Sequence, residues 1–250
     1  MTSSRLELVC NLHTFEGGTC SLVIYRRDVP LSATRGIIMD ANFWHERWAE
    51  NSIAFHQCEA NPLLVAHFNR LDLAKGSRVF VPLCGKTLDI SWLLSQGHRV
   101  VGCELSEMAI EQFFKELGVT PAISEIVAGK RYSAENLDII VGDFFDLTVE
   151  TLGHVDATYD RAALVALPKP MRDSYAKHLM ALTNNAPQLM LCYQYDQTQM
   201  EGPPFSISAE EVQHHYADSY ALTALATVGV EGGLRELNEV SETVWLLESR

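Results

Sequence analysis

Apolar and polar positions alternate in blocks along most of this chain. Apolar runs that read as strands are "SRVFVPL", "HRVVGCEL", "LDIIVG", "VDATYD" and "PQLMLCYQYD". Between them lie segments with helical spacing or helix-end signals. "NPLLVAHFNRLDL" predicts a helix, with Asn61-Pro62 as N-cap and first-turn proline. "TLDISWLLSQG" predicts another, with Leu88, Trp92 and Leu93 apolar and Gly97 closing it. "SEMAIEQFFKELG" predicts a third, ended by Gly118. Its capping box is partial, because Glu107 rather than the third helical residue carries the acid. "VDATYDRAALVALP" reads as strand, short loop and helix, stopped by Pro168. "PMRDSYAKHLMALT" and "SAEEVQHHYA" predict two further helices. "YALTALATV" and "EVSETVWLLES" read as closing strands whose short connection suits antiparallel pairing. Strands alternating with helices predict an α/β fold, a mostly parallel sheet covered on both faces.

Residues 1–38 break this pattern. They contain Gly17-Gly18, no helical period and a strand-like piece at Ser21–Tyr25. One reading is a regulatory arm. The other is a poorly ordered extension from an upstream start codon, with Met39 as the effective start, since disorder concentrates at termini. The expected division is an extension over 1–38 and one catalytic domain over 39–250. "DANFWHERWAENS" then places Trp44 and Trp48 four apart, on one helix face.

Composition narrows the function classes. Nineteen basic and 32 acidic residues leave a net charge of −13, which disfavours nucleic acid and anionic membranes as partners. The longest apolar runs fall well short of a membrane span, and no secretory signal is evident. Six scattered cysteines (Cys10, Cys20, Cys58, Cys84, Cys103, Cys192) form no CxxC pair, so no metal site is expected and reduced thiols in a cytoplasmic protein are. Nothing in the sequence demands more than a monomer.

In an open α/β sheet the ligand sits at the carboxyl ends of the strands. The residues predicted there are Pro82, Leu83, Cys84 and Gly85, then Glu104, then Asp143-Phe144, then Asp160-Arg161. Glu104 ends its strand about 20 residues after the first turn, where an acid accepts hydrogen bonds from ribose hydroxyls. Its alternative is a surface carboxylate at a helix start. The turn itself has one glycine where a pyrophosphate would need several closely spaced backbone N–H groups. That favours a nucleoside ligand without phosphates, such as S-adenosylmethionine, over NAD. Asp143-Phe144 reads either as an adenine contact or as a helix cap with a core aromatic. Asp160-Arg161 reads either as a structural ion pair or as an anion-binding arginine beside the crevice. Trp44 and Trp48 read as lid-packing residues, as a cover facing the cationic sulfonium, or as both. His45, His56 and Asp160 are candidate bases by location only, and Cys84 reads as a packed thiol.

At these residues the chain resembles the thiopurine S-methyltransferase family. The resemblance rests on "FWHERWAENSIAFHQ", "VFVPLCGKTLDISWLLSQGHRVVGCELSEMAIEQFF", "YDRAALVALP" and "GPPFSI", and it covers Met39 to Arg250. It implies a Rossmann-like, doubly wound, seven-stranded mostly parallel sheet with an antiparallel edge hairpin. It implies S-adenosylmethionine as cofactor, held by Trp44, Trp48, Leu83, Gly85, Glu104, Asp143, Phe144 and Arg161. It places Phe55 in the substrate site; Asp160 and Arg161 are catalytic candidates by their location at the strand end. The activity it implies is methyl transfer to the sulfur of aromatic or heterocyclic thiols, with selenium or tellurium compounds as further acceptors. The alternatives are an NAD-dependent oxidoreductase, disfavoured by the missing G-x-G-x-x-G, and a non-catalytic nucleotide-binding module.

Overall fold

The structure is a computed structural model that describes residues 8–13, 21–26, 41–50 and 59–250, apart from 231, 236 and 238. The chain divides into two units, Met1–Ile38 and Met39–Arg250. In the first, β1 (Leu8–His13) and β2 (Ser21–Arg26) pair antiparallel, and the strand expected at Ser21–Tyr25 is the second of them.

The second unit opens with α1 (Ala41–Ala49) and α2 (Pro62–His67). Asn61 caps α2 as its residue type predicts, accepting from the Leu63 and Leu64 N–H groups at 2.8 and 3.3 Å. Then follow β3 (Arg78–Val81), α3 (Asp89–Ser95), β4 (Arg99–Glu104) and α4 (Glu107–Leu117). Ser106 caps α4 through the Ala109 N–H, and Gly118 ends it in the left-handed conformation. β5 (Ala122–Ile126), β6 (Gly129–Ala134) and β7 (Leu137–Val141) come next, then α5 (Val149–Leu152) and β8 (Ala157–Arg161). Pro168 does not stop a helix there. Leu164–Ala166 form a single 3₁₀ turn, and Pro168 is the N-cap of α6 (Lys169–Thr183). β9 (Gln188–Gln194), α7 (Ala209–Tyr216), β10 (Tyr220–Gly229) and β11 (Ser241–Ser249) complete the unit.

The sheet has nine strands in the order β10-β11-β9-β8-β3-β4-β7-β6-β5. Seven of them form the expected sheet, with β11 antiparallel between β9 and β10. The other two correct the strand count. β5 and β6 are an antiparallel hairpin added beside β7 at the opposite edge. Their sequence, "AISEIVAGKRYSA", puts its one short apolar run, Ile126-Val127-Ala128, at the turn between the two strands, so neither strand reads as one. Tyr132 is the one residue of this hairpin's strands that is fully buried, while Ile123 and Val127 face solvent.

Two apolar layers cover the sheet. Phe80, Val101, Cys103 and Ile140 pack toward α5, α6 and α7, and Val79, Val81, Val100 and Ile139 pack toward α2, α3 and α4. This is the alternation a doubly covered parallel strand requires. The order reverses at β3, which has β4 on one side and β8 on the other. Loops leaving β3 and β8 therefore diverge and open a crevice at the carboxyl edge. No described helix is long and apolar enough to cross a membrane.

Gly142, at the end of β7, leaves no room for a side chain, since a Cβ there would lie 2.0 Å from the Ala128 carbonyl oxygen. Gly142→Ala is expected to cost roughly 1–3 kcal/mol in urea unfolding, the usual range for forced overpacking. A cost below about 0.5 kcal/mol, typical of neutral surface changes, contradicts this packing.

Candidate active site

The turn after β3 is held by the residue that ends β4. Glu104 is 6% exposed. Its carboxylate accepts from the Gly85 N–H at 2.8 Å and from the Ser106 N–H at 2.9 Å. Its own carbonyl accepts from the Gly142 N–H at 2.9 Å, which ties in the turn that precedes Asp143. Burial pushes the Glu104 pKa up, and the N–H bonds from Ser106, Gly85 and Leu105 pull against it. Gly85 sits at φ +52°, and a Cβ there would lie 3.2 Å from the Trp48 ring. The indole of Trp48, buried at the end of α1, thus roofs the turn.

The same contacts explain why this turn is a poor phosphate cradle. The Gly85 N–H is already bonded to Glu104. Lys86 is buried, and its ammonium donates to Glu116 at 2.6 Å. Neither is directed at a phosphate. Cys84 is a packed thiol, as expected. Burial, then the nearby Glu104, pushes its pKa well up, which keeps it protonated.

A cavity of about 730 Å³ opens at this edge of the sheet. Trp44, Trp48, Leu83, Gly85, Glu104, Asp143, Phe144 and Arg161 all border it. The eight residues named as cofactor contacts therefore share one wall, although they come from five separate stretches of chain. Phe55 and His56 lie outside the described residues. His45 is exposed and does not border the cavity.

The ambiguous pairs resolve locally. The Asp143 carboxylate caps a 3₁₀ turn through the Phe145 N–H at 2.9 Å. Phe144 is 2% exposed, and its ring stacks near Phe80 and Tyr175 in the core. Both still touch the cavity, joined there by Phe145, which sequence reasoning passed over. Asp160 and Arg161 do not pair with each other, because successive side chains of a strand point to opposite faces. Asp160 faces α6 and does not border the cavity. It accepts from the Tyr175 hydroxyl at 2.7 Å and the Leu164 N–H at 3.3 Å. Its place among the catalytic candidates is therefore corrected to a core position. Arg161 faces α3 and donates through Nε to Asp89 at 2.9 Å.

Asp89 went unnoticed in the sequence. It is almost wholly buried and accepts from the Asn61 N–H (2.7 Å) and the Tyr159 hydroxyl (3.0 Å) as well as from Arg161. An acid in the first turn of a helix with buried Ile90 and Leu93 was the available signal. Tyr159, Tyr193, Arg235 and Glu242 also line the cavity and were also missed. Away from it, Asp173 on α6 meets His214 and His215 on α7 at 3.4 and 3.3 Å. His215 also meets Glu211, which is held by Arg172, so these contacts pin α7 to α6.

Comparison with known proteins agrees with this architecture. The family profile described as "Thiopurine S-methyltransferase (TPMT)" matches residues 39–250. The chain belongs to the thiopurine S-methyltransferase family. A "Thiopurine S-methyltransferase" of Xanthobacter autotrophicus is 55% identical over 211 residues, spanning 84% of this chain and 99% of that protein. One from Teredinibacter turnerae is 49% identical over 209 residues, spanning 84% and 97%. A crystal structure of Burkholderia thailandensis 1,6-didemethyltoxoflavin-N1-methyltransferase, with its substrate and S-adenosylhomocysteine bound, superposes with a TM-score of 0.60 at 15% identity. It covers 95% of this chain and 98% of that one. At that identity the likeness shows the fold. The chain is accordingly a methyltransferase, and its cofactor is S-adenosylmethionine. The cavity suits that group, with an acid at the strand end and no phosphate cradle.

Burial raises the Asp160 pKa to about 6, against the hydrogen bonds from Tyr175, Leu164 and Ala163. The native state then holds a proton that the unfolded chain has lost. Stability falls as pH rises from about 4 to 6, by roughly 3 kcal/mol at most. Asp160→Asn is expected to flatten the pH dependence of urea unfolding across that window. A variant curve parallel to the wild type's contradicts the assignment.

Proposed function

We propose that this enzyme methylates the sulfur of aromatic and heterocyclic thiols, and that the wall of the cavity holds the cofactor in a set order. The observation that carries this reading is the placement of Glu104 at the end of β4, buried, with both oxygens oriented by backbone N–H groups. Such a carboxylate keeps lone pairs for the ribose hydroxyls. Asp143, at the end of the neighbouring β7, borders the same cavity with Phe145 beside it, and in this reading it would take the adenine amino group. The turn at Leu83 approaches the methionine end. Trp44 and Trp48 border the cavity from α1, and aromatic rings there would suit a cation. Arg161, anchored by Asp89, points its charge to the far side of β3, where a soft anionic acceptor would sit.

When bound, S-adenosylmethionine supplies a methyl group already activated by a positive sulfur. The protein's own contribution is then positional. It aligns an incoming sulfur with the methyl and keeps water away from both. An acceptor that ionises near neutral pH needs no strong base for this. Selenium and tellurium compounds are soft nucleophiles of the same kind and are further acceptors in this reading. The residues 39–250 form the catalytic domain, acting as a monomer in the cytoplasm.

The test is a methyl-transfer screen with labelled cofactor over 6-mercaptopurine, thiophenols, selenite and tellurite. Transfer to at least one thiol is expected. Retained S-adenosylhomocysteine binding with no transfer to any acceptor contradicts the reading. In parallel, Glu104→Ala is expected to raise the Kd for S-adenosylhomocysteine on the order of 10- to 100-fold, because hydrogen bonds to a charged group are lost. An unchanged Kd would remove Glu104 from the site.

A further inference from the structure

β11 runs antiparallel to β9, so its first residues arrive at the carboxyl edge of the parallel strands. There Glu242 pairs across the strands with Tyr193. Both side chains border the cavity. Glu242 is 9% exposed, yet among the described residues its carboxylate makes no hydrogen bond and no ion pair. Buried carboxylates are ordinarily satisfied, because an unmet one is costly. The other buried acids of this edge obey that rule: Glu104, Asp89 and Asp160 each hold two or more donors. Glu242 differs from them: its oxygens are not fully covered but meet the open cavity, with Arg161 near enough to draw its pKa down.

Its position along the edge is informative. From β4 to β11 is four strand steps through β3, β8 and β9, about 19 Å. Glu104 on β4 lies toward the nucleoside end in the proposed function, so Glu242 lies at the acceptor end. Resting on that reading, the geometry points to Glu242 as a catalytic residue that accepts the ring N–H proton of a heterocyclic thione as its sulfur is methylated.

For a thione acceptor such a group has a defined task, to raise the share of bound acceptor that has lost its ring proton. A thiophenol loses its S–H proton to water near neutral pH. A thiopurine instead carries its proton on a ring nitrogen, with a C=S bond alongside, and its sulfur is a weak nucleophile until that proton leaves. In the step assigned here the ring N–H bond breaks and an O–H bond forms on Glu242. The freed electron pair forms the ring C=N bond, and the C=S pair moves onto sulfur. That sulfur bonds the methyl carbon while the carbon–sulfonium bond breaks, its electron pair staying with the departing sulfur. Glu242 later releases the proton to solvent.

The surroundings fit both protonation states. Burial pushes the Glu242 pKa up; Arg161 draws it back down and Asp89 adds to the rise. A carboxylate above its usual range is a better proton acceptor near neutral pH. Burial, then Glu242, pushes the Tyr193 phenol up to about 12, so it stays a donor for the sulfur or ring nitrogen. Arg161 is itself held by Asp89, which leaves the Glu242 carboxylate for the ligand.

The experiment compares wild type with Glu242→Gln on two acceptors, 6-mercaptopurine and 4-nitrothiophenol, which is already ionised at neutral pH. The variant is expected to lose about 100-fold or more in kcat/KM for 6-mercaptopurine and less than about 5-fold for 4-nitrothiophenol, within the range of general-base effects. S-adenosylhomocysteine affinity should be unchanged, which shows the variant is folded. The acid limb of the wild-type pH profile for 6-mercaptopurine should move in the variant to the acceptor's own ionisation. A direct readout is the ultraviolet spectrum of 6-mercaptopurine bound beside S-adenosylhomocysteine, thiolate-like in wild type and thione-like in Glu242→Gln. Equal losses on both acceptors, or a thiolate spectrum in the variant, overturn the assignment of Glu242 while leaving the proposed function standing. No transfer by the wild type to either acceptor would instead remove the proposed function, and this inference with it.

Discussion

One carboxylate ties together the crevice on which this molecule is built. Glu104 receives the N–H of Gly85 from the turn after β3 and the N–H of Ser106 from its own turn, and its carbonyl receives the N–H of Gly142. Three loops at the carboxyl edge are thereby fixed to one residue. Burying a charge is costly unless donors surround it, and here the donors are the loops themselves. The arrangement holds Gly85 at a positive φ, where an added Cβ would crowd the Trp48 ring at 3.2 Å. It also removes the backbone donors and the lysine that a phosphate would need, so the chemistry left to the crevice is that of a nucleoside.

A second buried group of charges stands on the other side of β3. Asp89 gathers Asn61, Tyr159 and Arg161, and so joins α2, α3 and β8. Breaking such a pair leaves an uncompensated charge, which is why its partners restrain one another so closely. Between the two anchors lies the point where the strand order reverses. The crevice has two diverging loops, with a charged group fixed behind each. In the proposed function, Glu104 addresses the nucleoside and Arg161 with Glu242 addresses the acceptor.

Much of this was legible in the sequence, for definite reasons. Glu104 could be found because it ends an apolar run at a fixed distance from a glycine turn. Trp44 and Trp48 could be found because four residues return a helix to the same face. Most of the parallel strands were legible because they are buried on both sides and so read as apolar runs. The β5–β6 hairpin was not, because an edge hairpin exposed to solvent has no such run. Asp160 and Arg161 could not be told apart, since a strand's phase is uncertain by one residue, and one residue exchanges the two faces of the sheet. Glu242 was hidden for a topological reason. Only the insertion of an antiparallel strand between β9 and β10 brings its first residues to the ligand edge, and no local pattern announces that.

Every role assigned to this crevice depends on where the nucleoside lies relative to Glu104. A crystal structure of the protein with S-adenosylhomocysteine measures this directly. The ribose hydroxyls are expected on the Glu104 carboxylate with its bonds to Gly85 and Ser106 intact, adenine near Asp143, and the sulfur on the β8 side of β3. A nucleoside seated elsewhere, or a Glu104 that must leave the turn to admit it, would contradict the account.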